Sequence, residues 1–296
     1  MRRFRALTVA IFAGTLVACG DGAPSTSSTT TTPPPPPPPV QWTQIWSDEF
    51  DGPAGAPVDP AKWTNDVGDG CNQQNCGWGN NEKEYYSADA ANISTNGQGQ
   101  LEIVGRVAPA GLTCYYGACR YTSAKITTRG KLVVQPAGKL EARIKLASGQ
   151  GLWPAFWMLG STCPQVPWPN CGEIDIMENK GSQSTTTSSA LHGPGYSGAT
   201  PFAHAQTFSG SAITDYHTYG VEWDSFTVRW FVDGVQHYSV GIGDINAYGA
   251  SVLDKSFIVI LNLAVGGHFD GDPQSDAIFP ATMLVDYVRV FQPATH

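Results

Sequence analysis

Glu173, Asp175 and Glu178 stand within six residues of one another, separated by Ile174, Ile176 and Met177. On a helix, at roughly 100° per residue, the three acids would point near 0°, 200° and 140° and share no face. On a strand, Glu173 and Asp175 share one face, and Ile174 and Ile176 share the opposite, buried one. Glu178 is then one residue out of register, and a β-bulge at Ile176–Met177 brings it back. Acids crowded into one cleft repel, so their pKa values are driven apart. One ionised and one protonated carboxyl is what glycosidic-bond hydrolysis requires. The first attacks the anomeric carbon or activates water, and the second protonates the leaving oxygen. The outer two Cα atoms stand roughly 13 Å apart along such a strand. Side chains leaning together would bring the carboxyls to about 5–5.5 Å, the separation that goes with retention through a covalent intermediate. The bland alternatives are a solvated strand face or oxygen ligands for a hard cation.

The elements that must position these acids are strands. Runs of β-type residues recur between turn signals at Leu101–Val107, Ala124–Leu132, Lys139–Leu146, Trp153–Leu159, Glu173–Glu178, Thr186–His192, His217–Trp223, Thr227–Val232, Val235–Val240, Phe257–Val265 and Met283–Phe291. Asp233-Gly234 between two runs predicts a two-residue hairpin. Many short strands, no long 3.6-residue period and no internal repeat predict an all-β antiparallel sandwich. Within Trp153–Leu159, Trp153, Ala155 and Trp157 share one face and Pro154, Phe156 and Met158 the other. If one face is core, the two indoles line the cleft, where flat aromatic surfaces suit the C–H faces of sugars. The bland reading buries both.

Charged residues make up only 14% of the 296 residues, and Gly 33 and Pro 22 mark a turn-rich globular chain. The net charge of −8 becomes −11 if Arg2, Arg3 and Arg5 leave with a leader. That balance excludes a nucleic-acid partner and disfavours a polyanionic polysaccharide. Residues 1–19 read as a secretion signal, with basic Arg2, Arg3 and Arg5 before an apolar run from Ala6 to Val17. Leu16-Val17-Ala18-Cys19-Gly20 resembles a bacterial lipobox, which would make Cys19 a lipidated amino terminus and the protein's only membrane anchor; ordinary cleavage near Ala18 is the alternative. Residues 20–40 form a Ser/Thr- and Pro-rich linker with seven consecutive prolines, Pro33 to Pro39, a semi-rigid spacer. The catalytic domain then spans 41–296. The remaining six cysteines fall into three close pairs, Cys71/Cys76, Cys114/Cys119 and Cys163/Cys171. Sequence allows fifteen connectivities, with local pairing as the first expectation in an oxidising compartment. Zinc is disfavoured because no Cys-x-x-Cys occurs.

The Glu-x-Asp-x-x-Glu spacing resembles the active-site strand of glycoside hydrolase family 16 in its bulged, laminarinase-like form. Gly77-Trp-Gly-Asn-Asn-Glu-Lys-Glu-Tyr-Tyr86, Gly151-Leu-Trp-Pro-Ala-Phe-Trp-Met-Leu159, Asn262-Leu-Ala-Val-Gly-Gly267, Asp48-Glu-Phe-Asp-Gly52 and Val285-Asp-Tyr-Val-Arg-Val290 fit the same family, in order, from about Trp42 to Gln292. The resemblance implies a β-jelly roll of two antiparallel sheets with a concave cleft, and retaining endo-hydrolysis of β-1,3-glucan. It implies Glu173 as nucleophile, Glu178 as general acid/base, and Asp175 between them to hold the protonation pattern. It places Trp153, Trp157, Asn80, Glu84, Arg129, His192 and Asn262 against substrate or the catalytic strand. His268-Phe269 departs from the Asn-Trp common in laminarinase-like members, so Phe269 would stack on a sugar without an indole donor. No cofactor serves the chemistry, but a structural calcium is expected from Glu49, Asp286 and the carbonyl of Gly99. The expected protein is a secreted, cell-envelope monomer. The rivals are mixed-linkage glucan or galactan specificity on the same fold, and a β-glucan-binding protein without catalysis.

Overall fold

The computed structural model describes residues 40–209 and 213–294. The leader, Cys19 and the linker up to Pro39 lie outside the described residues. Two sheets face each other across an apolar core, giving the expected jelly-roll sandwich. The ten-stranded sheet runs in the order Val235–Gly241, Thr227–Val232, Tyr216–Trp223, Gly138–Lys145, Ala281–Pro293, Leu101–Val107, Tyr121–Ser123 and Glu84–Tyr86. Trp42–Asp48 and Ile93–Thr95 attach to it beside Ala281–Pro293 and Leu101–Val107. The seven-stranded sheet runs Phe202–Thr207, Thr186–His192, Glu173–Glu178, Leu152–Gly160, Phe257–Val265, Lys125–Thr127 and Thr64–Asp66. Its pairings are all antiparallel.

Five of the expected strands end where the residue pattern places them, among them Glu173–Glu178, Thr186–His192 and Phe257–Val265. Asp233 and Gly234 both have positive φ, 50° and 76°, and join Val232 to its partner Val235. That conformation matches the strand twist and closes the predicted hairpin. The run expected at Ala124–Leu132 is cut to Lys125–Thr127. The Thr128 hydroxyl donates to Leu132 O and accepts from Val259 N, turning the chain over Gly130 at φ +75°. One seven-residue helix, Ile242–Tyr248, is present among the described residues; Asp244 accepts from Gly241 N at its start.

The seven-stranded sheet has one face on the core and one open. Pro154, Phe156 and Met158 are buried, whereas Trp153 and Trp157 are partly exposed. The same division holds in Glu173–Glu178, whose Ile174, Ile176 and Met177 join the core cluster. Ile174, Phe156 and Leu191 therefore hold down the floor on which the acids stand, by apolar burial.

Candidate active site

The strand Glu173–Glu178 lies third in its sheet, paired on both edges. Against Thr186–His192 the register steps from Asp175 opposite Ala190 to Glu178 opposite Ser188. Against Leu152–Gly160 it steps from Trp157–Asp175 to Phe156–Met177. One extra residue is thus accommodated on this strand, the bulge expected at Ile176–Met177. Its carbonyls find partners outside the ladder. Trp230 Nε1, from the opposite sheet, donates to Asp175 O at 2.9 Å, and Ser189 Oγ donates to Ile176 O at 2.9 Å. The bulge returns Glu178 to the open face with Glu173 and Asp175.

The three acids are driven upward together, chiefly by burial. Glu173 is pushed to about 8, first by burial and then by the charge of Asp175. Asp175 is pushed to about 7 by burial, eased by the hydrogen bond it accepts from Glu173. Glu178 lies well above the ordinary carboxylate range, through burial and then the charges of Asp175 and Glu173. All three carboxyls therefore hold protons to higher pH than ordinary acids, and Glu173 and Asp175 share one between them, Glu173 donating. Each outer acid also accepts from an indole: Trp153 Nε1 to Glu178 Oε1 and Trp168 Nε1 to Glu173 Oε2, both at 3.0 Å. His192 Nε2 sits 3.1 Å from Asp175 Oδ2 and 3.9 Å from Glu173 Oε1, in contact with both acids but not aligned to hydrogen-bond to Asp175.

A family profile for glycosyl hydrolases family 16 matches residues 72–252. The chain belongs to that family. It is 37% identical over 262 residues to a β-glucanase of Rhodothermus marinus, covering 85% of each protein. It is also 37% identical over 256 residues to the clotting factor G α subunit of Tachypleus tridentatus, covering 86% of this chain but 35% of that longer protein. Its fold superposes on the crystal structure of an endo-β-1,3-glucanase from Pyrococcus furiosus with a TM-score of 0.81 at 42% identity, covering 87% of this chain and 97% of that one.

The remaining sites expected for a family 16 member divide into those on the cleft and those beneath it. Trp153 and Phe269 stack, with ring centroids 4.4 Å apart and planes at 22°, and Lys180 Nζ lies 4.9 Å from the Phe269 centroid. Trp157 donates to Asn262 Oδ1 at 2.8 Å, and Asn262 is itself buried. Asn80 donates to Glu82 at 3.1 Å. Glu84 has no exposed surface, and its carboxylate accepts from Val265 N at 2.7 Å. Arg129 reaches Cys163 O at 2.8 Å and so braces the loop closed by Cys163–Cys171. The loop bearing Asn80 is seated on Gly267, at φ +88°, where a side chain would begin 2.6 Å from Asn80 O; only glycine fits there.

All three expected disulfides form: Cys71–Cys76, Cys114–Cys119 and Cys163–Cys171. The residues expected to hold calcium are otherwise engaged. Glu49 is paired through both oxygens with Arg289, at 3.0 and 2.7 Å, and Asp286 with Arg143 at 2.7 Å. Gly99 does lie beside Glu49, whose main-chain oxygen is 4.0 Å from where a side chain on Gly99 would start. With both carboxylates neutralised by guanidinium groups, this set fits ion pairs better than a cation. Among the described residues, Glu173, Asp175 and His192 alone bring three acid or imidazole ligand atoms within 4.8 Å of one another, and two of these are the acids of the bulged strand.

Trp168 went unnoticed in the sequence. It is 45% exposed, in a loop rather than a strand, yet it hydrogen-bonds Glu173 and tilts against His192 at 5.9 Å between ring centroids. The available signal was an indole between two prolines, inside a cysteine-bounded loop five residues before Glu173.

Proposed function

We propose that this chain is a retaining endo-β-1,3-glucanase acting on laminarin-type glucan by double displacement. The observation that carries the reading is the gathering of three acids by a bulge onto one open strand face, with an indole N–H donated to each outer acid. Glu178 donates its proton to the glycosidic oxygen, which breaks the bond to the leaving chain. Glu173 attacks the anomeric carbon as its shared proton passes to Asp175, forming a glycosyl ester. Water, deprotonated by the now-basic Glu178, then cleaves that ester, so the β configuration is restored. Trp153, in its stack with Phe269, and Trp157 offer platforms for glucose rings on either side of the reacting bond. Similarity to the Pyrococcus furiosus endo-β-1,3-glucanase and to the Rhodothermus marinus β-glucanase favours β-1,3-glucan over galactan.

The disulfides and the leader-like residues 1–19 support export, with Cys19 as a lipid anchor and residues 20–40 as a stalk. No helix among the described residues is long and apolar enough to cross a membrane. The test is proton NMR of early products from soluble laminarin. Oligosaccharides that appear first in the β configuration are expected; α-configured first products, or binding without cleavage, would refute the mechanism.

A further inference from the structure

Two buried acids, Glu82 and Glu84, have no place in the reaction. They are 5% and 0% exposed and hydrogen-bonded to each other. Burial and then the Glu82 charge push Glu84 well above the ordinary range, so Glu84 keeps the proton and Glu82 accepts it. Glu82 collects further donors: Asn80 Nδ2 to Oε1 at 3.1 Å and the Tyr86 hydroxyl to Oε2 at 3.3 Å.

From Glu82 a chain of hydrogen bonds leads outward to the cleft, every donor pointing the same way. The Tyr86 oxygen accepts from Asn262 Nδ2 at 3.1 Å, and Asn262 Oδ1 accepts from Trp157 Nε1 at 2.8 Å. An indole N–H only donates, which fixes the Asn262 amide with its oxygen toward Trp157. Its NH₂ then faces Tyr86, whose proton has Glu82 as its acceptor. Lys125 Nζ lies 5.3 Å from the Trp157 ring and 4.2 Å from that of Trp78, and holds 3.7 Å from Asp66. One end of the Trp157 indole is thus tethered through three bonds to a buried carboxylate, and the ring is backed by a cation.

We propose that Glu82 is a positioning residue for the substrate platform Trp157, acting through Tyr86 and Asn262. The inference rests on the reading of Trp157 as a glucan-facing platform. A ring free to rotate must be ordered again each time substrate binds, and that cost appears in KM, whereas a tethered ring is already in place. The bond-breaking step at Glu173 and Glu178 is untouched.

The experiment is a double-mutant cycle on laminarin, with the melting temperature recorded for each protein. Tyr86→Phe removes one hydroxyl and keeps the ring; Glu82→Gln keeps the shape and removes the charge. Each is expected to raise KM about three- to tenfold, the worth of one net hydrogen bond, with kcat within about twofold. In a Trp157→Phe background, where no indole N–H exists to be held, Tyr86→Phe should change KM no further. Two results overturn the proposal alone: an unchanged KM in Tyr86→Phe and Glu82→Gln while Trp157→Phe raises it, or an equal effect of Tyr86→Phe in both backgrounds. If Trp157→Phe itself leaves KM unchanged, the platform reading falls and the proposal with it.

Discussion

Glu173→Gln is expected to abolish laminarin hydrolysis and to stabilise the protein, increasingly so as the pH rises. Burial and the Asp175 charge hold Glu173 at about 8 in the native state, against about 4.3 for an ordinary glutamate in the unfolded chain. The native carboxyl therefore keeps its proton where the unfolded one has lost it. A raised carboxyl contributes its full stability only below the unfolded value and loses it as the pH climbs towards the native one. At about 1.4 kcal/mol per pKa unit, the linked loss is roughly 1 kcal/mol at about pH 5 and roughly 5 kcal/mol at about pH 8. Glutamine cannot ionise and escapes that loss. For a domain of this size each kcal/mol moves Tm by about 2–4 °C, so the variant's advantage should be about 8–16 °C larger at about pH 8 than at about pH 5. Scanning calorimetry of both proteins at matched salt and scan rate measures the difference directly. A wild-type-to-variant gap that stays constant across that window would refute the burial argument.

Three further outcomes follow from the same geometry. Asp175→Asn removes a charge that raises Glu178, so the alkaline limb of kcat/KM should move to lower pH, and kcat should fall by about a hundredfold, within the range for a lost proton-handling group. Trp168→Phe removes a hydrogen bond that lowers Glu173; the acid limb should move to higher pH and kcat should fall about fivefold, while Tm, with Trp168 45% exposed, stays near wild type. Ser189→Ala leaves the Ile176 carbonyl of the bulge without its donor. It should cost about 1–2 kcal/mol in denaturant unfolding and lower kcat by displacing Glu178.

The sequence exposes the catalytic strand because its two demands are written in different residue types. The acids mark the open face, Ile174 and Ile176 mark the core, and the odd spacing of Glu178 requires the bulge. Phe202–Thr207 and Trp42–Asp48 are harder to read. The first is an edge strand with Ala, His and Gln between Phe202 and Thr207, alternating between half-buried and exposed, and it gains its shape from pairing rather than from propensity. The helix Ile242–Tyr248 is too short, at seven residues, to show a 3.6-residue period. Asn262 and Glu84 were legible as members of motifs but not as buried groups, and Asn80 not as a partner of the buried Glu82. Their partners, Tyr86 and Glu82, are brought to them by the pairing of Lys125–Thr127 with Phe257–Val265 and by Lys83 N bonding to Val265 O. A tether assembled from residues 176 positions apart leaves no local trace.

Three acids on one strand face would unfold a lone hairpin, and what holds them lies mostly elsewhere in the molecule. The bulge that aims Glu178 frees backbone carbonyls in a buried place, where an unmade hydrogen bond costs about 1–3 kcal/mol. One of those carbonyls, that of Asp175, is answered by Trp230 from the opposite sheet. Trp230 has no exposed surface and stacks on Tyr238 at 25° between planes, so its N–H is delivered by packing. The carboxylate geometry therefore depends on how the two sheets seat on each other as well as on the strand that carries the acids. Apolar substitutions that shift the far sheet around Trp230 will reach the active site without touching it.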